Sequence, residues 1–411
     1  MRTVIVVGAG MVGVASALHL QRRGWSVALV DRKQPGRETS YGNTGIIQSE
    51  AVRPYPMPRD LRSLAAIAAG RTNDVVYSVA SLPRHLVPLL RYWWHSAPER
   101  HRRISQSYAA IIALAANEHA ALIPEAGADA LVRRSGYRSL HRTEAALEEA
   151  AAVVDMLASE YGVRARVIGQ AELAAAEPAL TETGAGAVHW LDPWTVSEPG
   201  ALVSAYADLF TRCGGTLFNG DAATLKPAAG GGFEVRCRDG RIDAEAAVVA
   251  LGPWSPDLLR RFGYRFPMVR KRGYHRHFDG GKKLHLPLQD PAFGYVLAPM
   301  AKGLRVTTGA ELSGRQGSLR PIQLDRAEIA ARGLLDLGAA VEAEPWNGVR
   351  PCMPDMLPVV GAAPRHKGLW MNFGHGHQGL TLGPATGRLL AECMAGEQPF
   401  VDASAFSPAR Y

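Results

Sequence analysis

The pattern of apolar and polar residues at the start of the chain predicts two strands joined by a helix. An apolar run at residues 4–7 is followed by three closely spaced glycines, after which apolar residues recur at helical spacing as far as Gly24. A second apolar run, residues 27–30, ends at Asp31. Short continuous apolar runs are typical of buried strands, and apolar residues three or four apart are typical of one helix face.

The same pattern predicts helices and strands along the rest of the chain, without an internal repeat. Helices are expected within residues 61–125 and over 144–161, 197–213, 325–337 and 385–395, with Ser197 as the N-cap of the third. Strands are expected at residues 136–142, 185–191, 216–218, 233–237, 248–251, 274–278, 294–298, 304–308 and 369–373.

The three glycines of the first turn, Gly8, Gly10 and Gly13, form the Gly-x-Gly-x-x-Gly pattern of a dinucleotide-binding turn. In such a turn the first glycine allows a tight bend, the second a close approach to phosphate, and the third helix–strand packing. Asp31 follows at close to the spacing of about 20 residues typical of the acid that binds a ribose hydroxyl. A glycine-rich turn in an unrelated α/β protein is the alternative. A signal peptide is rejected because the glycines interrupt the apolar run.

Composition indicates a globular protein of more than one domain. The chain has 411 residues, of which 47% are hydrophobic and 20% charged, and this length exceeds that of one simple core. No apolar run reaches the ~18 residues that span a bilayer. Four cysteines without Cys-x-x-Cys spacing argue against a disulfide framework or a zinc site and favour a reducing compartment, so we expect a cytoplasmic location.

The net charge of +8 favours anionic partners, and its densest cluster lies in residues 84–103 around Trp93 and Trp94. Paired tryptophans flanked by arginines are typical of a membrane interface, which leaves open a peripheral position on the inner face of the membrane. A helix that packs these tryptophans inward is weighted equally. Nucleic acid is not expected as a partner, because no known binding module surrounds the cluster.

Taken together, six segments of the sequence resemble the D-amino-acid oxidase superfamily of FAD enzymes, and within it the bacterial D-amino-acid dehydrogenases. These segments are residues 8–13 with Asp31, 38–45, 248–255, 272–274, 346–355 with 358–361, and 372–381. The resemblance implies an α/β fold in which an antiparallel-sheet substrate domain is inserted into a Rossmann-like FAD-binding domain. The FAD-binding domain is expected to comprise residues 1–50, 195–262 and 346–411, and the substrate domain residues 51–194 and 263–345.

The resemblance also implies which residues bind the cofactor. Residues at the first turn and the second strand would hold the ADP half, those near residue 40 the pyrophosphate and the flavin edge, and those of 374–381 the pyrimidine side of the ring. A helix after Gly383 would point its N-terminus at that ring. The implied residues are Gly8, Gly10, Met11, Val12, Gly13, Asp31, Arg32, Thr39, Ser40, Asn43, Thr44, Gly45, Gly252, Trp254, Gly374, His375, Gly376, Gln378, Gly379, Leu380 and Thr381. FAD is expected to be non-covalent, because Cys352 does not align with the attachment cysteine of the related sarcosine oxidases.

Three residues are expected at the substrate: Arg350 as the partner of the substrate carboxylate, Tyr274 as a supporting phenol, and His377 as a polar contact, with packing on the cofactor as the alternative for His377. A guanidinium fits a carboxylate through two parallel hydrogen bonds. A salt bridge for Arg350 and a packed strand position for Tyr274 are the alternatives. His375 and His377 lack a third ligand, so no metal is expected. The basic segment around Lys271 departs from the family pattern and raises the prospect of an acidic, hydroxylated or bulky polar substrate.

The expected reaction is the oxidation of a D-amino acid or imino acid to an imine and then a 2-oxo acid, with electrons passed to a quinone or carrier. The alternatives are an N-methyl or cyclic amino-acid dehydrogenase or oxidase, a 2-hydroxy-acid or glycerol-phosphate dehydrogenase, and a flavin subunit of a larger dehydrogenase.

Overall fold

The computed structural model describes residues 2–70, 73, 75–77, 81–312 and 319–411. The helices are α1 (Met11–Gln21), α2 (Leu61–Ala68), α3 (Leu82–His95), α4 (Pro98–Glu125), α5 (Glu144–Tyr161), α6 (Gln170–Ala176), α7 (Pro199–Arg212), α8 (Ser255–Arg260), α9 (Ile322–Arg332) and α10 (Gly379–Ala395). The strands are β1 (Thr3–Val7), β2 (Ser26–Asp31), β3 (Ile46–Ile47), β4 (Val75–Tyr77), β5 (Val132–Arg133), β6 (Tyr137–His141), β7 (Ala165–Gly169), β8 (Gly186–Trp190), β9 (Trp194–Val196), β10 (Thr216–Pro227), β11 (Phe233–Cys237), β12 (Gly240–Ala244), β13 (Ala246–Val249), β14 (Val269–Gly280), β15 (Leu288–Asp290), β16 (Tyr295–Met300), β17 (Gly303–Leu312), β18 (Gly338–Ala340), β19 (Trp346–Cys352), β20 (Val359–Ala362) and β21 (Leu369–Phe373).

The first sheet is built around the predicted strand–helix–strand unit. Its eight strands lie in the order β12-β11-β10-β2-β1-β13-β21-β20. The five central strands are parallel, and the strands at both edges are antiparallel. Residues Val4 to Val7 of β1 are almost wholly buried, as expected for a parallel strand covered on both faces.

The second sheet is larger and mostly antiparallel. Eight of its strands follow the order β18-β14-β17-β16-β15-β6-β8-β7, with β19 paired to β14 and β4 paired to β17. One of its faces packs against α9 in a separate apolar core. A small sheet of β3, β9 and β5 completes the described strands. The predicted fold class, a nucleotide-binding α/β sheet combined with an antiparallel sheet, is confirmed.

Helices α1, α7 and α10 pack on the first sheet, and α4 packs against α10. Gly383 and Gly387 let α10 approach α1, since a Cβ on them would lie 2.6 Å from Met11 Cγ and 2.8 Å from the Ala15 carbonyl carbon. Buried residues of α4, among them Ile112, belong to the same apolar core. The predicted insertion 51–194 therefore contains a helix that packs against the helices of the nucleotide-binding sheet.

Two structural features differ from the predicted boundaries. Strand β19 is hydrogen-bonded along β14, although the prediction assigned residues 346–411 to the FAD-binding domain. Helix α7 begins at Pro199 with Glu198 as its N-cap, not Ser197. The Ser197 hydroxyl instead donates to the Leu131 carbonyl, 3.3 Å away.

Helices α9 and α10 also differ from their predicted ranges. Helix α9 ends at Arg332 and α10 begins at Gly379. Ten of the described strands were not predicted, namely β3, β4, β5, β7, β9, β12, β15, β18, β19 and β20. The early start of α10 places Gly383 and Pro384 inside the helix, where their residue types would have indicated a loop.

Candidate active site

A cavity of about 780 Å³ is lined by strand ends and loops from both large sheets. Its volume lies within the range of small-molecule sites. Most of the predicted site residues line it: Gly8, Gly10, Met11, Val12, Asp31, Arg32, Thr39, Ser40, Asn43, Thr44, Gly252, Trp254, Tyr274, Arg350, Gly374, His375, Gly376, His377, Gly379 and Leu380. Gly13, Gly45, Gln378 and Thr381 lie behind this lining.

The first turn packs as its glycines require. Gly8 has a φ of +108°, and a Cβ there would lie 2.5 Å from the Ala250 carbonyl oxygen. A Cβ on Gly13 would lie 1.7 Å from the Gly8 carbonyl oxygen, so α1 rests directly on the turn. Helix α1 therefore starts at the cavity wall with its first amides directed toward the lining.

The Asp31 carboxylate is held at the end of β2. One oxygen accepts a hydrogen bond from the Ala9 amide at 2.7 Å, and the other accepts from the Lys33 amide at 3.0 Å. Beside it, the Arg32 guanidinium lies 5.5 Å from the ring centroid of Trp254. These contacts fix an acid and a cation at one end of the cavity.

Residues 39–45 connect three parts of the site. The Ser40 hydroxyl accepts from the Met11 amide at 3.1 Å, and Thr39 donates to the Val349 carbonyl at 3.4 Å. The Asn43 side chain accepts from the Gly45 amide at 2.9 Å and donates to the His377 carbonyl at 3.4 Å. This segment thereby ties the start of α1 to β19 and to the segment before α10.

The start of α10 borders the opposite side of the cavity. Gly379 and Leu380 line the cavity in the first turn of the helix, where backbone amides have no intrahelical acceptor. Gln378 and Thr381 both bind Gln48, which lines the cavity. The Gln378 side chain donates to the Gln48 side-chain oxygen at 2.7 Å, and the Thr381 hydroxyl accepts from the Gln48 backbone amide at 3.2 Å. The His375 ring is bonded to Thr386 at 2.9 Å, and burial lowers the pKa of His375 to about 3.

A buried histidine, His119 of α4, supports this helix start. Pro384 has no N–H to bond the Leu380 carbonyl. Nε2 of His119 bonds that carbonyl at 2.9 Å, and Nδ1 of His119 bonds the Tyr206 hydroxyl at 2.9 Å. Burial lowers the pKa of His119 to about 4, so the ring is neutral and donates from Nε2. No sequence pattern pointed to His119.

Arg350 lines the cavity, and its described partners are backbone carbonyls. Its guanidinium donates to the carbonyls of Gly309 and Thr308, the latter at 3.2 Å. Among the residues the structure describes, no carboxylate lies within ion-pair distance of it. Burial lowers the pKa of Arg350, and Cys352 partly opposes this shift, yet a guanidinium remains charged. A cavity-facing guanidinium with only carbonyl partners is suited to bind an anion.

Gly273 provides the space through which Arg350 reaches these carbonyls. The side chain crosses β14 to bond β17, and a Cβ on Gly273 would lie 2.6 Å from Arg350 Nη1. The glycine is therefore part of the arginine site.

Tyr274 has different surroundings from those predicted. Its hydroxyl donates to Glu311 and accepts from the Arg320 amide at 3.1 Å, and its ring belongs to the core packed on α9. A register shift in the β14–β17 pair lies between Arg272 and Tyr274. The hydroxyl is thus already bonded within the protein, which differs from the role of a phenol that supports the substrate.

His377 and Lys271 lie near Arg350. Desolvation lowers the pKa of His377, and the charges of Arg350 and Lys271 lower it further. The residue is exposed, and its ring lies 5.4 Å from the ring of Tyr55. The Lys271 ammonium lies 4.8 Å from the centroid of the Tyr92 ring.

Several lining residues were not predicted from the sequence. They are aromatic and hydroxyl side chains contributed by distant segments, namely Tyr55, Tyr92, Tyr108, Tyr137, Tyr295 and Thr308. Glu50 lies behind Tyr137. Its carboxylate accepts hydrogen bonds from the Tyr137 hydroxyl at 2.9 Å and from the side-chain amide of Gln48 at 2.7 Å. Burial raises the pKa of Glu50 to about 7.

The nucleotide end of the cavity fits a dinucleotide cofactor. The starts of α1 and α10 both border the cavity, and helix N-termini favour anions such as phosphate. A Cβ on Gly10 would lie 3.3 Å from the Ser40 hydroxyl. Because glycine has no Cβ, a bound group can approach the Gly10 backbone closely. The Asp31 carboxylate suits a ribose hydroxyl.

A comparison with known protein families identifies the cofactor. The family model described as FAD-dependent oxidoreductase matches residues 3–393. The chain belongs to this family.

Among the curated relatives of this oxidoreductase, two match the chain over nearly its full length. The D-amino acid dehydrogenase of Chromohalobacter salexigens is 30% identical, with 99% of both chains covered. The D-amino-acid oxidase of Bradyrhizobium diazoefficiens is 29% identical, covering 100% of this chain and 99% of the relative. Among solved structures, glycine oxidase from Geobacillus kaustophilus has a TM-score of 0.73 at 20% identity, with 100% of both chains covered. The resemblance found in the sequence is confirmed.

On the surface of this oxidoreductase, α3 presents an apolar face beside the cavity. Leu86, Val87, Leu90 and Trp94 are each more than half exposed, while Tyr92 of the same helix lines the cavity. Arg100 and Arg59 lie over the rings of Trp94 and Trp93 at 3.6 and 3.7 Å. In the described part of the chain, no helix has both the length and the apolar character needed to cross a bilayer.

Proposed function

We propose that the protein oxidises a D-amino acid or a related imino acid, with Arg350 as the anchor of its carboxylate. The observation that carries this proposal is the charged guanidinium that faces the cavity and, among the described residues, meets only backbone carbonyls. The names of the two curated relatives support the substrate class.

The protein's own residues would bind and orient the substrate. Two hydrogen bonds from the Arg350 guanidinium to the carboxylate would fix the position of Cα, and orientation of this kind accounts for much of the rate in such reactions. FAD, when bound, supplies the hydride acceptor for the Cα–H bond. The first-turn amides of α10 would face the developing negative charge and stabilise it.

The amine must lose its proton before Cα is oxidised, and the positive charges of Arg350 and Lys271 would favour this because they disfavour an ammonium group nearby. The neutral ring of His377 offers a nitrogen that accepts a hydrogen bond from the amine. In this role His377 orients the amine.

We propose that FAD is held without a covalent bond. Cys352 lines the cavity, and its sulfur lies 3.8 Å from the position that a Cβ on Gly376 would occupy. Cys352 is therefore the cysteine to test for a covalent bond to FAD. Denaturation of the purified protein should release all of the yellow colour into the supernatant. Colour retained by the precipitated chain would contradict non-covalent binding, and Cys352→Ser would identify the bond.

We also propose that a quinone or carrier accepts the electrons and that the apolar face of α3 contacts the inner surface of the membrane. The support is the exposed Trp94 on a helix that also lines the cavity, together with arginines suited to anionic lipid. The relatives' names include both a dehydrogenase and an oxidase, so oxygen is the competing acceptor.

A cyclic or N-methyl amino-acid substrate is the second candidate. It needs the same carboxylate anchor, and the tyrosines that line the cavity, among them Tyr55 and Tyr108, offer flat apolar surfaces to a ring.

The deciding experiment is turnover by the purified single chain on a panel of D-, L-, cyclic and N-methyl amino acids, each with oxygen and with a quinone analogue. We expect D-amino or imino acids to be oxidised, and faster with the quinone. Activity restricted to L-amino acids or 2-hydroxy acids would contradict the proposed substrate. Absence of turnover until another subunit is added would indicate a flavin subunit of a larger enzyme.

A further inference from the structure

Two cations, Lys271 and Arg350, line the cavity from neighbouring strands. In the antiparallel pair of β14 and β19, Lys271 is directly opposite Arg350, and residues so paired project from the same face of a sheet with Cβ atoms about 5 Å apart.

The neighbours of Lys271 along β14 are paired with carboxylates, whereas Lys271 is not. Arg270 binds Asp257 at 2.9 Å, and Arg272 lies 3.6 Å from Glu311. Lys271, between them, meets the face of the Tyr92 ring. Throughout the described ranges no acidic side chain comes within ion-pair distance of Lys271 or Arg350.

The acids that line the cavity are already engaged. Asp31 and Asp221 are bonded by backbone amides. Glu38 is paired with Arg32 and Lys33, and Asp257 with Arg270. Glu50 lies behind Tyr137 and Gln48, and burial raises its pKa to about 7. None of these groups offsets the two cations.

Two enclosed like charges repel each other, and each is stabilised by an anion brought close to it. The carboxylate common to all amino acids occupies one cation, on the proposed function. The second cation would remain without an anion if the substrate side chain were neutral.

We infer that the substrate is a dicarboxylic amino or imino acid, with its α-carboxylate on Arg350 and its second carboxylate on Lys271. This inference rests on the proposed function, and it names the class of side chain that the site accepts. The contact with the Tyr92 ring limits the positions of the Lys271 ammonium. It therefore also limits the length of the substrate side chain that can reach this ammonium.

The first test compares acidic substrates with their uncharged amides. D-Glutamate and D-aspartate should have kcat/KM values about 10- to 100-fold above those of D-glutamine and D-asparagine, the size expected for one charge-assisted contact. In Lys271→Met this preference should fall toward one. Lys283→Met, which removes an exposed lysine outside the cavity lining, should keep the preference of the wild type.

The second test measures binding without turnover. Succinate and butyrate are titrated into the FAD-loaded protein and followed by calorimetry. We expect succinate to bind more tightly than butyrate to the wild type, and the two to bind alike to Lys271→Met.

Three results would overturn the inference: equal kcat/KM for acids and amides, equal affinity for succinate and butyrate, or a Lys271→Met variant altered only in its reaction with the electron acceptor. If no amino acid is oxidised at all, the proposed function fails. The succinate and butyrate titration then still decides whether Lys271 and Arg350 form a site for two carboxylates.

Discussion

Glu50 is an acid in an almost fully enclosed position. One carboxylate oxygen is bonded by Gln48 and Tyr137, and the other has no partner within the described part of the chain. Burial raises its pKa to about 7 from 4.5. A raised pKa in the folded state means that folding favours the protonated acid. The stability this confers is complete below the unfolded pKa and is lost as the pH rises through the folded pKa.

We therefore predict that Glu50→Gln removes part of the pH dependence of stability. Between about pH 5 and about pH 8 the wild type should lose roughly 3 kcal/mol more of its unfolding free energy than the variant, according to the linkage relation. Denaturant unfolding of the FAD-saturated proteins measures this. Glu148→Gln, at an exposed position of α5, is the control and should follow the wild type. Parallel curves for Glu50→Gln would contradict the prediction.

At the residue scale, motifs could predict Arg350 but not the groups around it. The Gly-x-Arg-Pro segment identifies the arginine directly. Lys271 becomes its neighbour only through the register of β14 and β19, and the contact of Tyr274 with Glu311 depends on a register shift in β14 and β17. Register arises from long-range pairing, which the local pattern does not encode.

At the scale of elements, β14 is shaped by one glycine so that β19 can deliver Arg350 to the cavity. We predict that Gly273→Ala displaces the guanidinium, because the new methyl group would lie 2.6 Å from Nη1. The guanidinium is the mobile end of its side chain, so the fold should persist. Substrate KM should rise about 10-fold, the effect of weakening one charge-assisted hydrogen bond, while FAD affinity stays the same. Gly169→Ala, where a Cβ meets nothing within 4 Å, is the control, and an unchanged KM in Gly273→Ala would contradict the role of this glycine.

The start of α10 depends on a contact from α4. We predict that His119→Phe costs about 1–3 kcal/mol of stability, because the Leu380 carbonyl loses its partner in a buried position. FAD affinity should fall as well, since Leu380 lines the cavity. Thermal unfolding and FAD titration measure the two effects. Tyr206→Phe leaves the bond to Leu380 intact and should cost less; if both variants were equally stable, the Leu380 contact would not be what His119 contributes.

The first strand–helix–strand unit and β21 were predictable because their apolar runs are bounded by glycines and turns. The start of α10 was not, because Gly383 and Pro384 have residue types that end helices. Close packing of α10 on α1 explains Gly383. The Leu380 carbonyl, which Pro384 leaves unbonded, is bonded by His119, 261 residues away in the sequence.

At the scale of the whole molecule, helix α3 contributes both to the cavity lining and to an exposed apolar face. We predict that the protein floats with liposomes containing anionic lipid and that Trp93→Ser/Trp94→Ser reduces the bound fraction several-fold, since the rings and arginines act together at the headgroup level. Val153→Ser/Ile329→Ser, which removes exposed apolar residues from α5 and α9, should float like the wild type. Equal flotation of both double variants would exclude α3 as the contact.

The central claim is that this cavity oxidises an amino acid whose carboxylate is held by Arg350. The most direct measurement is the anaerobic bleaching of the yellow protein by substrate, compared between the wild type and Arg350→Met. We predict that bleaching saturates in the wild type and that the variant, still yellow, needs about 10- to 100-fold more substrate, the cost of one lost charge-assisted carboxylate contact. Failure of any amino acid to bleach the wild type, or the same concentration dependence in both proteins, would contradict the account.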